Sequence, residues 1–411
     1  MSSATAVAER EGVFASRSFR QYYIGQAFSM AGDGLRTLAI PLLVYRLTGS
    51  ALSTGVAYAC EFVPFAFLSV PAGSLADRVD RRALMIGADV VRFLVMVAMA
   101  VLFLRHALPV AGVYAGLVVL SIGAAVFMGG QSSSIPFLLG KERATAAQAA
   151  LMGADSVSQM ALPAAGGALL AAFGPLPALL LNALTYLVSQ YSLSRIPTLG
   201  PEKTSGLPNG RELVEDMRTG FRLLFADPGM RAQSFIGLTL NIVGFGGFTI
   251  LIPFLKRGFG ASDYQVSLFW MIAGVGAVAG SVFASKFARR WPFGRALTTA
   301  YIVDTILFIP VVLTHNLWIA GLFWAIGNAC VQFEISQVIG FRLRVIHEDY
   351  VGRVFGAVRL LVLCGVPIGT LFFGYVADHY GARAGMTISA LACLAVAVVA
   401  ISSPTIRGET R

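Results

Sequence analysis

Residues Ala83–Leu104 read ALMIGADVVRFLVMVAMAVLFL, an apolar run broken only by Asp89 and Arg92. An α-helix needs about 20 mostly apolar residues to cross a bilayer, and this run has that length. It has many companions. Reading outward from it for apolar runs and their polar breaks places spans at 22–46, 52–76, 83–104, 109–135, 147–172 and 175–195, then 231–255, 263–286, 296–314, 317–340, 352–376 and 384–403. The runs are long and continuous, whereas barrel strands alternate over about ten residues, so the expected class is an all-α polytopic membrane protein.

Composition points the same way. Of 411 residues, 56% are hydrophobic and 13% charged, against about 45–50% and about 25% in soluble domains. Such a chain cannot cover a water-facing surface, which excludes a cytosolic enzyme, a secreted disulfide scaffold and a disordered regulator. The excess of 31 Lys+Arg over 21 Asp+Glu reads as a topology signal, because basic residues collect in cytoplasmic loops. With both ends inside, inner segments hold 23 of the 31. Outer loops hold five (Arg46, Arg105, Lys256, Arg257, Arg383), and Arg36, Arg92 and Arg359 lie within spans. The expected setting is the plasma (inner) membrane with both termini cytoplasmic and a lipid bilayer, not nucleic acid, as the partner. Cys60, Cys330, Cys364 and Cys393 sit in apolar stretches without a CxxC spacing and read as packing residues. The N-terminus carries acids and no apolar core, so the first span is expected to serve as the insertion signal.

The twelve spans fall into two sets of six. The expected organisation is a cytoplasmic segment at 1–21, a six-helix bundle at 22–195, a cytoplasmic linker at 196–230, a second bundle at 231–403 and a tail at 404–411. Within the linker, Leu213, Met217, Phe221 and Leu224 recur at helical spacing among charges, which predicts an amphipathic helix over 211–226, on the inner membrane face or solvated. The halves also echo each other. Ile40-Pro41-Leu42-Leu43 in span 1 matches Ile252-Pro253-Phe254-Leu255 in span 7, and Gly73 with Arg81-Arg82 matches Gly280 with Arg289-Arg290. Parallel six-helix repeats joined by a long inner loop are the layout of alternating-access transporters.

The loop after span 2 reads Gly73-Ser74-Leu75-Ala76-Asp77-Arg78-Val79-Asp80-Arg81-Arg82. It resembles the signature of the major facilitator superfamily, Gly-x-Leu-Ala-Asp-Arg-x-Gly-Arg-Lys, departing at Asp80, where the family usually has Gly, and at Arg82. Gly374-Tyr375-Val376-Ala377-Asp378 gives a further echo at the end of span 11. Two more stretches resemble the branch that includes enterobactin and macrolide exporters. One is Gly32-Asp33-Gly34 with Ile40–Ser50. The other is Pro163-Ala164-Ala165-Gly166-Gly167, similar to the tail of an antiporter motif whose first glycine is here Leu162. The resemblance implies two pseudo-symmetric bundles, a monomer, and an inner gate in which Asp77 latches the start of span 11 while Arg78, Arg81 and Arg82 organise ion pairs. From the residues themselves, Gly73 permits close helix approach, and Pro163, Gly166 and Gly167 bend and thin span 5 for contact with the other half.

Charges inside spans cost about 2.5–3.5 kcal/mol each at a helix centre. Asp33 and Arg36 share a face of span 1, and Asp89 and Arg92 repeat that spacing in span 3, where mutual neutralisation is the expected role. Glu61, Asp155, Asp304 and Glu334 have no partner within their own helices, and Arg359 is the cation able to answer one across the bundle. Burial penalises the charged form, so such an acid can take a proton on one side and release it on the other. The four histidines fall in or near loops, which leaves this task to carboxylates: Asp33 and Glu61 first, then Glu334, Asp304 and Asp155. Phe62, Phe65, Phe67, Gln26, Asn241, Phe245, Phe248, Trp270 and Gln332 suggest a cavity suited to an amphipathic compound. The expected function is proton-coupled efflux of a drug-like, secondary-metabolite or siderophore-like molecule, with an uptake symporter as the alternative. No HExxH, GxSxG or GxxxxGK[ST] is present, so neither a membrane enzyme nor an ATP-driven pump is expected, and no cofactor or metal is implied.

Overall fold

The computed structural model describes residues 13–76, 78–200, 210–287, 292–346 and 351–402. After a 3-10 turn at Val13–Ala15, the first bundle comprises α1 (Arg17–Thr48), α2 (Ala51–Ala76), α3 (Arg81–Leu104), α4 (Val110–Leu139), α5 (Lys141–Phe173) and α6 (Pro175–Ser194). A linker helix, α7 (Gly210–Ala226), leads to the second: α8 (Pro228–Phe259), α9 (Asp263–Phe287), α10 (Phe293–Leu313), α11 (Leu317–Val345), α12 (Val351–Leu363), α13 (Gly365–Tyr380) and α14 (Ala382–Ser402). Together α12 and α13 make one span. Eleven spans among the described residues are long and apolar enough to cross a membrane. The remaining one, α6, has 20 residues but buries a polar stripe, Asn182, Ser189 and Ser192, against α1 and α3.

Several helices outrun their apolar cores. Ser16 caps α1 by accepting from the Phe19 amide, so α1 starts before the predicted 22. The α5 helix begins at Lys141, not 147, and α11 continues to Val345. Hydropathy reads only the lipid-facing length; polar helix ends extend past it. Span 11 breaks at Cys364, where Pro367 has no N–H to offer the Leu363 carbonyl. The linker helix packs on α12, with Leu224 buried beside Met230 and Val354.

The two bundles meet along α2 against α13 and α5 against α9. Both glycines of the span 5 motif serve close approach, in two directions. A Cβ on Gly166 would collide with the Leu35 carbonyl of α1 in its own bundle, and one on Gly167 with Ser267 of α9 in the other. Continuous helical structure runs through Pro163, so thinning, not interruption, is what the motif does here.

Contacts between bundles concentrate at the end of the molecule opposite the start of α1 and the finish of α14. One buried cluster there draws on both halves, with Leu38, Leu42, Leu43 and Leu170 packed among Ile252, Phe254, Leu255, Val266 and Phe269. The two Ile-Pro repeats thus supply the same apolar plug. Polar contacts ring it. Arg46 pairs with Asp263, which also takes Lys256; Arg257 donates to the Gly49 carbonyl at 2.6 Å. Asp378 of α13 caps α2, accepting from Ser50 Oγ at 2.6 Å and from the Ala51 and Leu52 amides at 2.8 and 3.0 Å. At the terminal end, the buried clusters among the described residues belong to one bundle each. The cleft therefore faces the terminal end.

Two outcomes test this packing. Gly166→Val should lower the temperature at which the purified protein stays monodisperse by several degrees, reflecting overpacking of about 1–3 kcal/mol, while Gly153→Ala, where the added Cβ meets nothing within 4 Å, leaves it unchanged. Asp378→Asn should lengthen the distance between nitroxides at positions 106 and 315, read by double electron–electron resonance, because the carboxylate that caps α2 loses its charge.

Candidate functional site

The first bundle holds a charge network at mid-helix. Arg92 of α3 pairs with Asp89 one turn before it at 3.1 Å and with Asp33 of α1 at 2.6 Å. Asp33 also accepts from Tyr186 Oη of α6 at 2.6 Å, and the Arg92 guanidinium lies 4.1 Å from the Tyr186 ring centre. Arg36, three residues on from Asp33, reaches Glu61 of α2 at 2.7 Å and Asp33 at 3.8 Å. Two guanidiniums thus face three carboxylates. Asp89 is fully buried, while the Asp33 and Glu61 side chains keep 23% and 22% exposure, so those two are the acids within reach of water.

This arrangement modifies two expectations. The Asp89–Arg92 pair is not self-contained, because Arg92 divides its charge with Asp33. Glu61 has a cross-helix partner in Arg36, placed by the packing of α1 beside α2. Tyr186 and Ser189, which accepts from the Gln26 amide at 3.2 Å, were not among the expected site residues. Their signal was available: Asn182, Tyr186, Ser189 and Ser192 recur at helical spacing along one buried face of α6.

The acids of the second bundle stand apart from these. Asp304 of α10 and Glu334 of α11 line one cavity of about 530 Å³, bounded also by α8. Among the described residues neither carboxylate has an ion-pair partner, and Glu334 is 5% exposed with Oε1 unbonded. Asn241, Phe245, Phe248 and Gln332 line this cavity as expected. Trp270 stacks behind Phe248 at 5.3 Å, and Phe62 reaches across from α2 to Phe245 at 4.8 Å. Gln26 is instead buried in the first bundle, and Phe67 is 60% exposed. Among the described residues Arg359 pairs with no carboxylate; it lies 4.7 Å over the Phe65 ring and donates to Met128 Sδ. Asp155 is exposed on α5.

Of the loop motif, Gly73 lies in the last turns of α2 and Asp77 lies outside the described residues. Arg81 Nε donates to the Ala76 carbonyl at 3.2 Å, closing the loop on itself; Arg82 donates to the Ser194 and Pro197 carbonyls at 2.6 and 3.3 Å, tying the loop to the end of α6. Arg78 follows as the loop's first described residue. The departure at Asp80 has a local reason: its carboxylate caps α3, accepting from the Arg82 and Ala83 amides at 2.9 and 3.2 Å.

Known proteins share this build. Macrolide efflux protein A of Streptococcus pyogenes is 24% identical over 386 residues, covering 93% of this chain and 94% of that protein. Multidrug efflux pump Tap of Mycobacterium tuberculosis is 24% identical over 395 residues, covering 92% and 91%. Among solved structures, a bacterial homologue of the human lysosomal transporter Spinster, inward-facing and unoccupied, superposes with a TM-score of 0.73 at 16% identity, covering 98% and 99%. A bacterial homologue of the iron transporter ferroportin in its inward-facing state gives 0.70 at 15% identity, covering 94% and 100%. The transmembrane secretion effector family matches residues 12–410, and the chain belongs to it: a transporter of the major facilitator superfamily, not an enzyme.

Proposed function

We propose that this protein is a proton-driven exporter of an amphipathic small molecule, working by alternating access as a monomer in the plasma membrane with its termini in the cytoplasm. The observation that carries the proton coupling is the charge count of the first bundle. With every group ionised, Asp33, Glu61 and Asp89 exceed Arg36 and Arg92 by one negative charge. An uncompensated charge at that depth is costly, and one proton neutralises it. Asp33 and Glu61 are the two acids of the network that are not fully buried, and they are the ones placed to exchange that proton.

Export is supported by the efflux names of the full-length relatives, a macrolide pump and a multidrug pump, and by an aromatic cavity of a volume that suits drug-sized ligands. Inner-loop positive charge puts the open end of the cleft in the cytoplasm, where such a pump collects its cargo. On the family's pattern, Asp77 then caps the start of α12 when the cleft opens outward, with Arg78, Arg81 and Arg82 holding the loop.

The test is transport in proteoliposomes, with a macrolide among a panel of labelled drugs. Asp33→Asn or Glu61→Gln should cut uptake driven by an imposed pH gradient about tenfold or more, the scale of a lost essential proton carrier, while leaving counterflow exchange without a gradient within about twofold. Unchanged gradient-driven transport in both variants would remove these acids from the mechanism. Everted vesicles that fail to accumulate any panel member on energisation would instead indicate uptake.

A further inference from the structure

The second bundle's cavity holds two acids and almost no compensating cation, and that imbalance calls for an occupant. Glu334 projects from α11 into it with a carboxylate that is 95% buried by its 5% exposure and has Oε1 unbonded. Asp304 lines the same space from α10 and acts on Glu334 electrostatically. Arg342 also borders the cavity but follows Glu334 by eight residues, about 12 Å along the helix, too far for an ion pair. The mid-helix network of the first bundle differs: Asp33, Glu61 and Asp89 each touch a guanidinium.

The neutral polar groups of the lining offer both donors and acceptors, Gln233 with both of its ends unbonded. Asn241 spends its amide nitrogen on the Gly237 carbonyl at 3.0 Å, and Asn328 spends its own on the Trp324 carbonyl at 2.8 Å. Each keeps Oδ1 as an acceptor and one further N–H as a donor. Aromatic rings complete the lining. Phe248 and Trp324 meet at 6.1 Å, and Phe308 and Trp324 at 5.7 Å. Carboxylates, amide oxygens and π faces all favour positive charge, and the rings favour it only when its carrier is lipophilic.

We infer that this cavity is a binding site for a lipophilic organic cation, with Glu334 as its counter-ion, Asp304 as a second source of negative field and Phe248, Trp324 and Phe308 as its aromatic walls. Its use rests on the transporter reading; its occupancy does not. A bare carboxylate buried this deeply is costly, and a cation of matching size removes the cost without any rearrangement of the helices. Trp324 Nε1, buried without a partner, supplies one donor, so a cation that also carries an ether or carbonyl oxygen fits better than a pure hydrocarbon one.

The experiment is equilibrium binding to the purified full-length protein in nanodiscs, with radiolabelled tetraphenylphosphonium as the probe and tetraphenylborate as a competitor of the same shape and opposite charge. Empty nanodiscs supply the partition background. Tetraphenylphosphonium should bind saturably, and tetraphenylborate should compete at least about tenfold more weakly than the unlabelled cation. Glu334→Gln should raise the Kd about tenfold, Phe248→Leu about fivefold, and Gly153→Ala, in the other bundle and with nothing within 4 Å of the added Cβ, by less than about twofold. Equal competition by the two ions, or unchanged affinity in both Glu334→Gln and Phe248→Leu, overturns the inference. Where Glu334→Gln is not monodisperse, Phe248→Leu and the ion pair on the unaltered protein decide it. Selective binding without gradient-driven transport sinks the exporter reading and leaves this site standing; transport without cation selectivity does the reverse.

Discussion

One guanidinium organises the first bundle. Arg92 is 4% exposed, and a charge there is tolerable only because Asp89, Asp33 and the Tyr186 ring surround it. Those partners lie on α3, α1 and α6, so satisfying a single buried cation fixes three helices relative to one another. Arg36 then extends the constraint to α2 through Glu61. Breaking such a contact inside lipid leaves an uncompensated charge, which costs several kcal/mol. Four of the six helices are therefore locked together at mid-membrane, and the softer contacts, those between the bundles, are where motion is cheapest.

The second bundle is built on a different balance. Its core is held by apolar and aromatic packing, and its acids are left uncancelled beside a cavity. The pseudo-symmetry of the fold thus hides a division of chemistry. Matching Ile-Pro segments from both halves make the same plug, yet the intramembrane carboxylates are paired with guanidiniums in one half and left without ion pairs among the described residues in the other. A transporter that exchanges two unlike species has use for two unlike sites, since a single site serving both would bind each under compromise.

Much of this was legible in the sequence, for identifiable reasons. Bilayer thickness forces long apolar runs, so twelve spans could be counted from composition alone, α6 included despite its polar stripe. Motif residues pointed to the loop after α2 and to the thinning of α5, because glycine at a helix contact has one physical use. What could not be read were relations between helices. Glu61 meets Arg36 because α1 lies beside α2, and Arg92 meets Asp33 because α1 and α3 both pack on α6, and no periodicity within one helix encodes that. Asp304 and Glu334 were visible as intramembrane acids, whereas their common cavity arises from α8, α10 and α11 together. Span 11 read as one run because hydropathy is blind to the carbonyl that Pro367 leaves unpaired. The linker helix showed its amphipathic face, but not that α12 would cover it.

The helix pair formed by α2 and span 11 ties these features to movement. At the end away from the termini, Asp378 finishes span 11 and caps the first turn of α2, crossing from one bundle to the other. The sequence puts a second aspartate, Asp77, directly after the last residue of α2, and span 11 begins at that same end of the bundle. On the role proposed for Asp77, each aspartate caps the partner helix at one end of the same pair. Two rods pivoting about a contact near mid-membrane close one end only by opening the other, so the two caps cannot form together. A helix cap is worth about 0.5–2 kcal/mol, and losing one while gaining the other leaves little net difference between the two states. That near-cancellation is what a small input requires. On the function proposed, one proton on the first bundle's network, or one ligand in the second bundle's cavity, need then supply only a few kcal/mol of preference to decide which end is open.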